Sequence, residues 1–238
     1  MLEHTIPSPG SSAPPARILT AADLPLATAT ALTVGSFDGV HIGHRALLER
    51  VAAEAKAHAL RPVAFTFGEN PKAKLYDVKY LTGTTDRIRY LSAYGAAAVY
   101  LADFDELREM KPEAFVERIL IEGLRAECVV CGEDFRFGAG RGGDSAMLAR
   151  LLERRGRRCI VLPPVLKDGA PISSTDIRRL LAEGRCEEAA ALLGRPYNFS
   201  LQVEDGRHLG RMLGFPTINQ RFPAYRVTPA FGVYAVEC

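Results

Sequence analysis

The chain has 238 residues, of which 47% are hydrophobic and 24% charged, a composition typical of globular proteins. The net charge of +2 gives no general argument for nucleic acid or a membrane surface as a partner. No apolar run approaches the roughly 20 residues that span a bilayer.

The cysteine usage favours a reducing compartment. The five cysteines form no disulfide-like framework, so we expect a cytoplasmic location. Cys128 and Cys131 have C-x-x-C spacing, but in an extended strand their side chains point to opposite faces. Because no second pair of this kind follows, buried thiols are a better interpretation than a zinc site.

The order of apolar and polar segments predicts an α/β fold. Residues 1–16 are rich in proline and serine and lack the features of a signal peptide, so we expect a disordered leader. The predicted strands that follow are residues 31–34, 62–67, 96–101, 126–131 and 159–162. Strand–helix units of this length predict a doubly wound, parallel five-stranded sheet. Ligands bind such sheets beyond the carboxyl ends of the strands, so the loops after strands one, two, four and five would share one edge.

The intervening helices have recognisable ends. Thr85 and Asp86 are the expected cap of the second helix. Pro112 and Gly123 are the expected ends of the third, and Asp144 precedes the fourth.

The loop after the first strand, GSFDGVHIGH from Gly35 to His44, has the strongest functional signal. A glycine-rich strand-to-helix turn presents backbone N–H groups and the positive end of a helix dipole, which suits phosphate. His41 and His44 lie on one side of the first helical turn, and Gly43 lets a ligand approach the backbone. Two imidazoles there can stabilise the charge that develops when a nucleophile attacks the α-phosphorus of a nucleoside triphosphate. The loop predicts nucleotidyl transfer, and its H-x-G-H spacing disfavours the alternative, a turn with two surface histidines.

Two further loops are candidates for ligand contacts. Residues 171–178 place hydroxyl groups at a helix start before Arg178, whose planar guanidinium suits phosphate oxygens. Such hydroxyls in isolation usually form an N-cap. In the loop after the fourth strand, Phe135 and Phe137 flank Arg136, which is as consistent with loop packing as with a ligand platform.

The pattern changes in the C-terminal part of the chain. Phe199, Leu201 and Val203 alternate with polar residues, which predicts a half-buried antiparallel strand. The P-T-x-N sequence ending at Asn219 is by itself most consistent with a turn. Residues 232–238 have the pattern of a strand interior. Roughly forty residues cannot close a β-barrel around a core of its own.

Together these stretches resemble the bacterial bifunctional riboflavin kinase/FAD synthetase family. The matching segments are GSFDGVHIGH (35–44), CGEDFRFGAGRGGD (131–144), ISSTDIR (172–178), LLGRPY (192–197) and LGRMLGFPTIN (209–219). The resemblance implies an N-terminal domain of the HxGH nucleotidyltransferase type that joins FMN to the adenylyl group of ATP, giving FAD and pyrophosphate with Mg²⁺. It also implies a C-terminal β-barrel that phosphorylates riboflavin to FMN.

The resemblance assigns roles to individual residues. The catalytic set would be His41, His44 and Arg178. The ATP site would be lined by Gly35, Ser36, Phe37, Asp38, Gly43, Ser173, Ser174 and Thr175. The flavin would contact Phe67, Asn70, Pro71, Asp134, Phe135 and Phe137. The segment Glu69-Asn70-Pro71 departs from the Pro-His-Pro-like segment usual in the family. In the kinase module, Mg²⁺ and ATP phosphates would be bound by Thr217 and Asn219.

The expected domains are an adenylyltransferase domain over 17–185, a linker helix over 186–196 and an incomplete kinase barrel over 197–238. We expect the kinase module to be truncated and inactive, because the segment that would carry the family's catalytic glutamate has no counterpart. This stub would dock on the first domain or pair with another chain through its unpaired edge.

Two other functions stay open at the level of the residues. One is an HxGH nucleotidyltransferase with a different acceptor, such as pantetheine phosphate or a mononucleotide. The other is a non-catalytic flavin- or nucleotide-binding protein. The expected partners are ATP, FMN and riboflavin, without nucleic acid or membrane.

Overall fold

A parallel β-sheet forms the centre of the protein. The computed structural model describes residues 15–68, 78–206, 214–215 and 217–237. The strands are β1 (Arg17–Leu19), β2 (Thr30–Val34), β3 (Arg61–Phe67), β4 (Ala98–Ala102), β5 (Ala126–Gly132), β6 (Arg136–Phe137), β7 (Gly143–Asp144), β8 (Arg158–Leu162), β9 (Leu166–Lys167), β10 (Ala170–Pro171), β11 (Val203–Glu204) and β12 (Asn219–Gln220). The main sheet has the order β1–β4–β3–β2–β5–β8, and every adjacent pair in it is parallel.

Helices cover both faces of this sheet. They are α1 (Ile42–Ala57), α2 (Thr84–Ala93), α3 (Phe104–Leu107), α4 (Pro112–Ala114), which continues as a π-helix (Phe115–Gly123), α5 (Ser145–Glu153), α6 (Ser174–Ala182) and α7 (Cys186–Leu193). Leu32 and Val34 of β2 belong to the cluster that includes the π-helix and α5, whereas Ala31 packs with α1. All five residues of β2 are buried, as expected of a central strand in a parallel sheet covered on both faces. The predicted parallel α/β sheet is confirmed.

The predicted number of five strands is wrong, because β1 adds a sixth at the sheet edge. β1 pairs with β4 and has only three residues, too few for a recognisable hydrophobic period. Ala16, which we assigned to the leader, is already buried, and its N–H donates to Ser92 Oγ at 3.0 Å. Residues 1–14 of the expected leader lie outside the described residues.

Most of the predicted helix ends are confirmed. Pro112 is the first residue of α4, and Gly123 is the last of the π-helix. Asp144 caps α5, since its side chain accepts a hydrogen bond from the Met147 N–H at 2.8 Å.

The predicted cap of α2 is wrong. The N-cap is Gly83, and the helix starts at Thr84, so Thr85 and Asp86 lie within its first turn. Asp86 is buried there, and its carboxylate pairs with Arg89 at 3.0 Å. The group that we expected to cap the helix is therefore engaged in an ion pair.

The C-terminal residues form much less sheet than predicted. The strand expected from Phe199 is reduced to β11, which pairs with β12 in antiparallel orientation. The described part of 232–237 contains no strand. The described residues after α7 form only this two-stranded ladder and no barrel, because two strands cannot close a sheet on itself.

Part of this C-terminal segment docks on the α/β sheet domain. Val227 is buried, and its N–H donates to Tyr80 O at 2.8 Å. The Tyr80 N–H in turn donates to Tyr225 O at 2.7 Å. The Ala230 N–H donates to Leu181 O of α6 at 3.0 Å, so the chain near Val227 is fixed from two sides.

The two cysteines with C-x-x-C spacing lie in the core. Cys128 and Cys131 belong to core clusters on opposite faces of the sheet, and both are free thiols. Within the described ranges, every helix is too short or too polar to cross a membrane.

Candidate active site

The turn between β2 and α1 has a strained backbone. The φ angles of Phe37, Gly39 and Val40 are 49°, 85° and 40°. Left-handed backbone is unfavourable for a residue with a Cβ, and especially for a β-branched one. Phe37 and Val40 are fully buried, so packing offsets this strain. The surroundings of the turn, more than its own preference, therefore fix its shape.

His41 and His44 form a stacked pair at the start of α1. Their ring centroids are 3.6 Å apart with an interplanar angle of 18°, and Phe37 contacts His44 edge-on at 5.1 Å. His41 is the N-cap of α1, and its Nδ1 accepts a hydrogen bond from the His44 backbone N–H at 3.4 Å. A Cβ at Gly43 would lie 3.2 Å from the His41 ring, so a side chain at this position would crowd the imidazole.

His41 is a neutral imidazole in this environment. Burial, with a smaller contribution from the Arg195 charge, lowers the pKa of His41 from 6.5 to about 4. Because Nδ1 accepts the hydrogen bond from His44, the single proton of the neutral ring lies on Nε2. His41 can therefore donate a hydrogen bond through Nε2 while uncharged.

Asp38 connects the turn to two other segments. Its Oδ1 accepts hydrogen bonds from the backbone N–H groups of Leu81 at 3.0 Å and Thr82 at 3.1 Å, and its Oδ2 pairs with Arg178. Burial raises the pKa of Asp38, and the Arg178 charge opposes that shift. With three donors on a buried carboxylate, Asp38 is an anchor of the turn.

Arg178 and Ser174 bring the start of α6 against the same turn. Besides pairing with Asp38, Arg178 donates from Nε to Lys79 O at 2.8 Å. Ser174 Oγ donates to the backbone oxygen of Asp38 at 2.8 Å. The structure thus brings together two motifs that are more than 120 residues apart in sequence.

The other two hydroxyl residues of this motif differ in environment. Ser173 is the N-cap of α6, since its hydroxyl accepts a hydrogen bond from the Asp176 N–H at 3.2 Å. Ser173 therefore has the N-cap role that the sequence left open. Thr175 is exposed in the first turn of α6.

Gly35 and Ser36 lie where the turn leaves the sheet. The Gly35 N–H donates to Phe65 O of β3 at 3.1 Å. The backbone oxygen of Ser36 accepts a hydrogen bond from Thr66 Oγ1 at 3.2 Å. These bonds continue the pairing of β2 with β3 beyond the end of β2.

The aromatic residues after β5 divide between core and surface. The rings of Phe135 and Phe137 are stacked with centroids 5.5 Å apart. Phe137 is buried and belongs to the main core cluster, so it packs the loop on the core. Phe135 is half-buried and Asp134 is exposed.

The end of β3 contributes Phe67 to the same edge. Phe67 is half-buried and contacts Phe104 edge-on at 5.7 Å. Asn70 and Pro71, the other flavin contacts predicted in this loop, lie outside the described residues.

These groups share one edge of the sheet at its topological switch point. From β2 the chain proceeds to β3 and β4 on one side, and β5 and β8 lie on the other side. The turn after β2 and the loop after β5 therefore flank the crevice where open α/β sheets bind ligands. Because Arg178 pairs with Asp38 of the turn, α6 closes the same region.

Arg195 is a residue of this region to which we assigned no role from the sequence. It is buried, and its guanidinium donates to Gly39 O at 2.6 Å and to Val40 O at 3.0 Å. Its only signal in the sequence was its position in the LLGRPY segment, 192–197.

The described residues contain no cluster of three or more histidine, cysteine or acidic side chains that would hold a metal ion. Thr217 and Asn219, the residues predicted to bind Mg²⁺ in the kinase module, are exposed. Asn219 lies opposite Glu204 in the β11–β12 ladder, and the Glu204 carboxylate pairs with Arg221 at 3.6 Å.

The fold and this edge define a nucleotide-binding α/β protein with a histidine-bearing phosphate turn. A family model described as FAD synthetase matches residues 24–176, and one described as riboflavin kinase matches residues 193–238. The chain is 37% identical over 211 residues to the bifunctional riboflavin kinase/FMN adenylyltransferase of Escherichia coli (strain K12), covering 87% of this chain and 67% of the relative. The protein of the same name from Listeria monocytogenes is 36% identical over 211 residues, with the same coverage. The chain belongs to this family of ATP-dependent FMN adenylyltransferases with an attached riboflavin kinase region.

A solved structure agrees with the fold. The crystal structure described as a macrolide-efflux protein from Streptococcus pneumoniae superposes with a TM-score of 0.80 and 29% sequence identity. The superposition covers 91% of this chain and 73% of the other.

Proposed function

We propose that this chain transfers the adenylyl group of ATP to FMN at the edge formed by the ends of β2, β3 and β5 and the start of α6. The main supporting observation is the ion pair of Asp38 with Arg178, because it joins the histidine turn to the hydroxyl-rich start of α6. Family membership supports the choice of substrates.

In the proposed reaction, a phosphate oxygen of FMN attacks the α-phosphorus of ATP. A new P–O bond forms, the bond from the α-phosphorus to the bridging oxygen breaks, and pyrophosphate leaves. Negative charge develops on the α-phosphate oxygens, where His41 Nε2–H and the His44 ring would donate hydrogen bonds. No covalent enzyme intermediate is needed, because both reactants lie in one crevice.

ATP would lie along the turn after β2 and the start of α6. Gly35, Ser36, Phe37 and Gly43 form the wall of the turn beside which the nucleotide would bind. Arg178 has five N–H groups, and its bonds to Lys79 and Asp38 use two of them. The remaining donors, with the exposed hydroxyl of Thr175, suit the triphosphate.

Three residues of the expected ATP site would act indirectly. Asp38 would position Arg178 and the turn, because donors already occupy its carboxylate. Ser174 would support the turn through the Asp38 carbonyl, and Ser173 would fix the start of α6 as its N-cap.

The flavin would bind beside β3 and β5. Half-buried Phe135 and Phe67 offer apolar surface to the isoalloxazine ring, with Asp134 at the rim. Phe137 would act through its stacking on Phe135. Contacts from Asn70 and Pro71 stay part of the proposal on the resemblance alone.

Mg²⁺ would arrive with ATP. This ion commonly keeps several waters and binds through substrate phosphates, so it does not require a cage of side chains. The described residues fit that mode and not a dedicated metal site.

We propose three domains in the order given by the sequence: adenylyltransferase over 17–185, linker helix over 186–196 and kinase region over 197–238.

Riboflavin kinase activity would be weak or absent, because the described kinase region forms one two-stranded ladder with Thr217 and Asn219 exposed. The fully exposed Phe231 and Val233 favour self-association, which sedimentation velocity tests.

A cytoplasmic location would suit the free thiols of Cys128, Cys131, Cys159 and Cys186.

A product assay tests the function. With MgATP we expect FMN to yield FAD and pyrophosphate, and riboflavin to yield little or no FMN. We expect His44→Ala to lower kcat about 100- to 1,000-fold, because it removes a donor to the developing charge.

The matched control is His58→Ala, at the exposed end of α1, which should leave turnover unchanged. Absence of FAD from FMN would refute the proposal. Turnover with a non-flavin acceptor would instead favour a different nucleotidyltransferase, and tight flavin binding without turnover a binding protein.

A further inference from the structure

We propose that Arg195 is a positioning residue for adenylyl transfer, which holds the Gly39–Val40 peptide so that His41 and His44 face the reacting phosphate. This inference rests on the proposed function. It also extends the adenylyltransferase unit beyond the region that matches the FAD synthetase model, which ends at residue 176.

The first observation is the hydrogen bonding of the guanidinium. Arg195 Nη2 donates to Gly39 O at 2.6 Å, and Nη1 donates to Val40 O at 3.0 Å. These are the two carbonyl groups immediately before His41. A rigid, planar fork can bind two successive carbonyl groups at once, whereas a lysine ammonium acts as a single flexible point charge.

The second observation is that the turn needs an external hold. Gly39 and Val40 both have positive φ, and Val40 is β-branched. A residue in such a conformation persists when neighbouring groups fix it. Arg195 binds the carbonyl groups of these two residues, which directly precede the N-cap residue His41. Loss of Arg195 would therefore let the turn move and carry His41 with it.

The third observation is that Arg195 has a site built around its cation. The guanidinium carbon lies 3.7 Å from the ring centroid of Tyr90 on α2, a favourable cation–π distance. The Tyr90 hydroxyl donates to Asn198 Oδ1 at 2.6 Å. Arg195 makes no ion pair with an acidic side chain of the described residues. Its contacts are the carbonyl groups and the ring.

The chain leading to Arg195 also packs on α1. Gly194 has a φ of 72°, and a Cβ there would lie 3.0 Å from the Ile42 side chain. Ile42 is the first residue of α1, next to His41. Residues that match the riboflavin kinase model, 193–238, therefore begin with the segment that completes the adenylyltransferase turn.

The test uses Arg195→Gln and Arg195→Lys in the full chain. We expect kcat for FAD formation to fall about 10- to 100-fold in Arg195→Gln, because a displacement of about 1 Å at a reacting group has an effect of this size. The KM for ATP should change less than about threefold, because the proposed triphosphate contacts, Arg178 and Thr175, lie on α6 and not on the turn that Arg195 holds. Arg195→Lys should recover less than half of the lost rate, because lysine keeps the charge but not the fork.

The matched control is Arg185→Gln, at the other end of α7. Arg185 is exposed and pairs with Glu188 at 2.6 Å. This variant should keep the wild-type kcat. Wild-type kcat in Arg195→Gln, or full recovery by lysine, would overturn the proposal. So would a loss of rate equal to the loss of folded protein measured by circular dichroism, because a purely structural role predicts that result.

Histidine NMR separates this proposal from the proposed function. In Arg195→Gln we expect the ring resonances of His41 and His44, assigned with His41→Asn and His44→Asn, to shift. The pKa of His41 should rise, because the Arg195 charge contributes to lowering it in the wild type. If the wild type makes no FAD, the proposed function fails. The spectra still test whether Arg195 positions the rings of His41 and His44. Unchanged histidine resonances would overturn it.

Discussion

His41 combines the N-cap of α1 with its proposed chemical role in one side chain. Its Nδ1 caps α1, its ring stacks on His44, and burial keeps it neutral. The cap requires the Nδ1 lone pair, which leaves the Nε2–H for a ligand. A glycine-rich turn with a capping histidine therefore presents one uncharged donor in a fixed direction.

This protonation state predicts a pH dependence of stability. In the unfolded chain His41 binds a proton near pH 6.5, whereas in the folded protein it does so near pH 4. Between these values the unfolded state binds more protons, so the free energy of unfolding falls as the pH is lowered. The loss from His41 should approach about 3 kcal/mol. Urea unfolding between neutral pH and pH 4 measures it.

His41→Asn supplies the comparison for this prediction. Asparagine is a good N-cap residue and does not titrate, so the helix start is preserved. We expect the variant to lose less stability over the same range of pH. An identical decline in both proteins would show that other groups cause it.

Asp38 shows what residue patterns leave undetermined. The resemblance predicts that it lines the ATP site, and the structure places it, buried, within the turn. Its carboxylate, however, binds Leu81, Thr82 and Arg178, which come from two distant segments. A single sequence contains no signal for such pairings, because they form only when the chain has folded.

At the scale of elements, the hydroxyl groups at the start of α6 have different surroundings. Three hydroxyl residues follow one another, and the sequence alone does not distinguish them. In the structure Ser173 caps the helix, Ser174 binds the Asp38 carbonyl, and Thr175 is exposed. Their different surroundings lead to different expected effects of substitution.

We expect Ser173→Ala to lower the free energy of unfolding by about 1 kcal/mol, through loss of the N-cap. Thr175→Ala should leave stability unchanged and raise the KM for ATP about tenfold, equivalent to about 1.4 kcal/mol of binding. Chemical denaturation and steady-state kinetics measure the two effects. A stable Thr175→Ala with wild-type KM would remove Thr175 from the ATP site.

At the scale of the molecule, the two regions that match separate family models share a core. Val227, from the kinase-matching region, packs with Leu81, Ile177 and Leu180. Tyr197 donates a hydrogen bond to Val227 O at 2.8 Å. These contacts agree with one of the two alternatives from the sequence, in which the kinase-matching region docks on the first domain.

A matched pair of substitutions tests this shared core. Val227→Ala should lower the free energy of unfolding by about 1–2 kcal/mol, because it removes buried methyl groups. Val233→Ala, at a fully exposed position, should have no effect. Denaturant unfolding measures both. Equal effects of the two substitutions would mean that Val227 is not part of the folded unit.

The local features of this protein follow from short stretches of its amino-acid sequence. The apolar runs gave the parallel strands, Asp144 and Pro112 gave helix starts, and the H-x-G-H spacing gave the paired histidines. Each of these depends on neighbours within a few residues, so a single chain contains the information. The sequence did not predict the three-residue strand β1, because this strand forms by pairing with β4 and is too short to have a hydrophobic period of its own.

The way in which those features combine depends on contacts between segments that are distant in the chain. The anchoring of Asp38, the grip of Arg195 on the histidine turn and the docking of Val227 all join residues that are distant in sequence. Their geometry depends on burial and on donors from other segments, which have no periodic signature. The physical reason is that buried polar groups must find partners, and the folded backbone determines which partners are within reach.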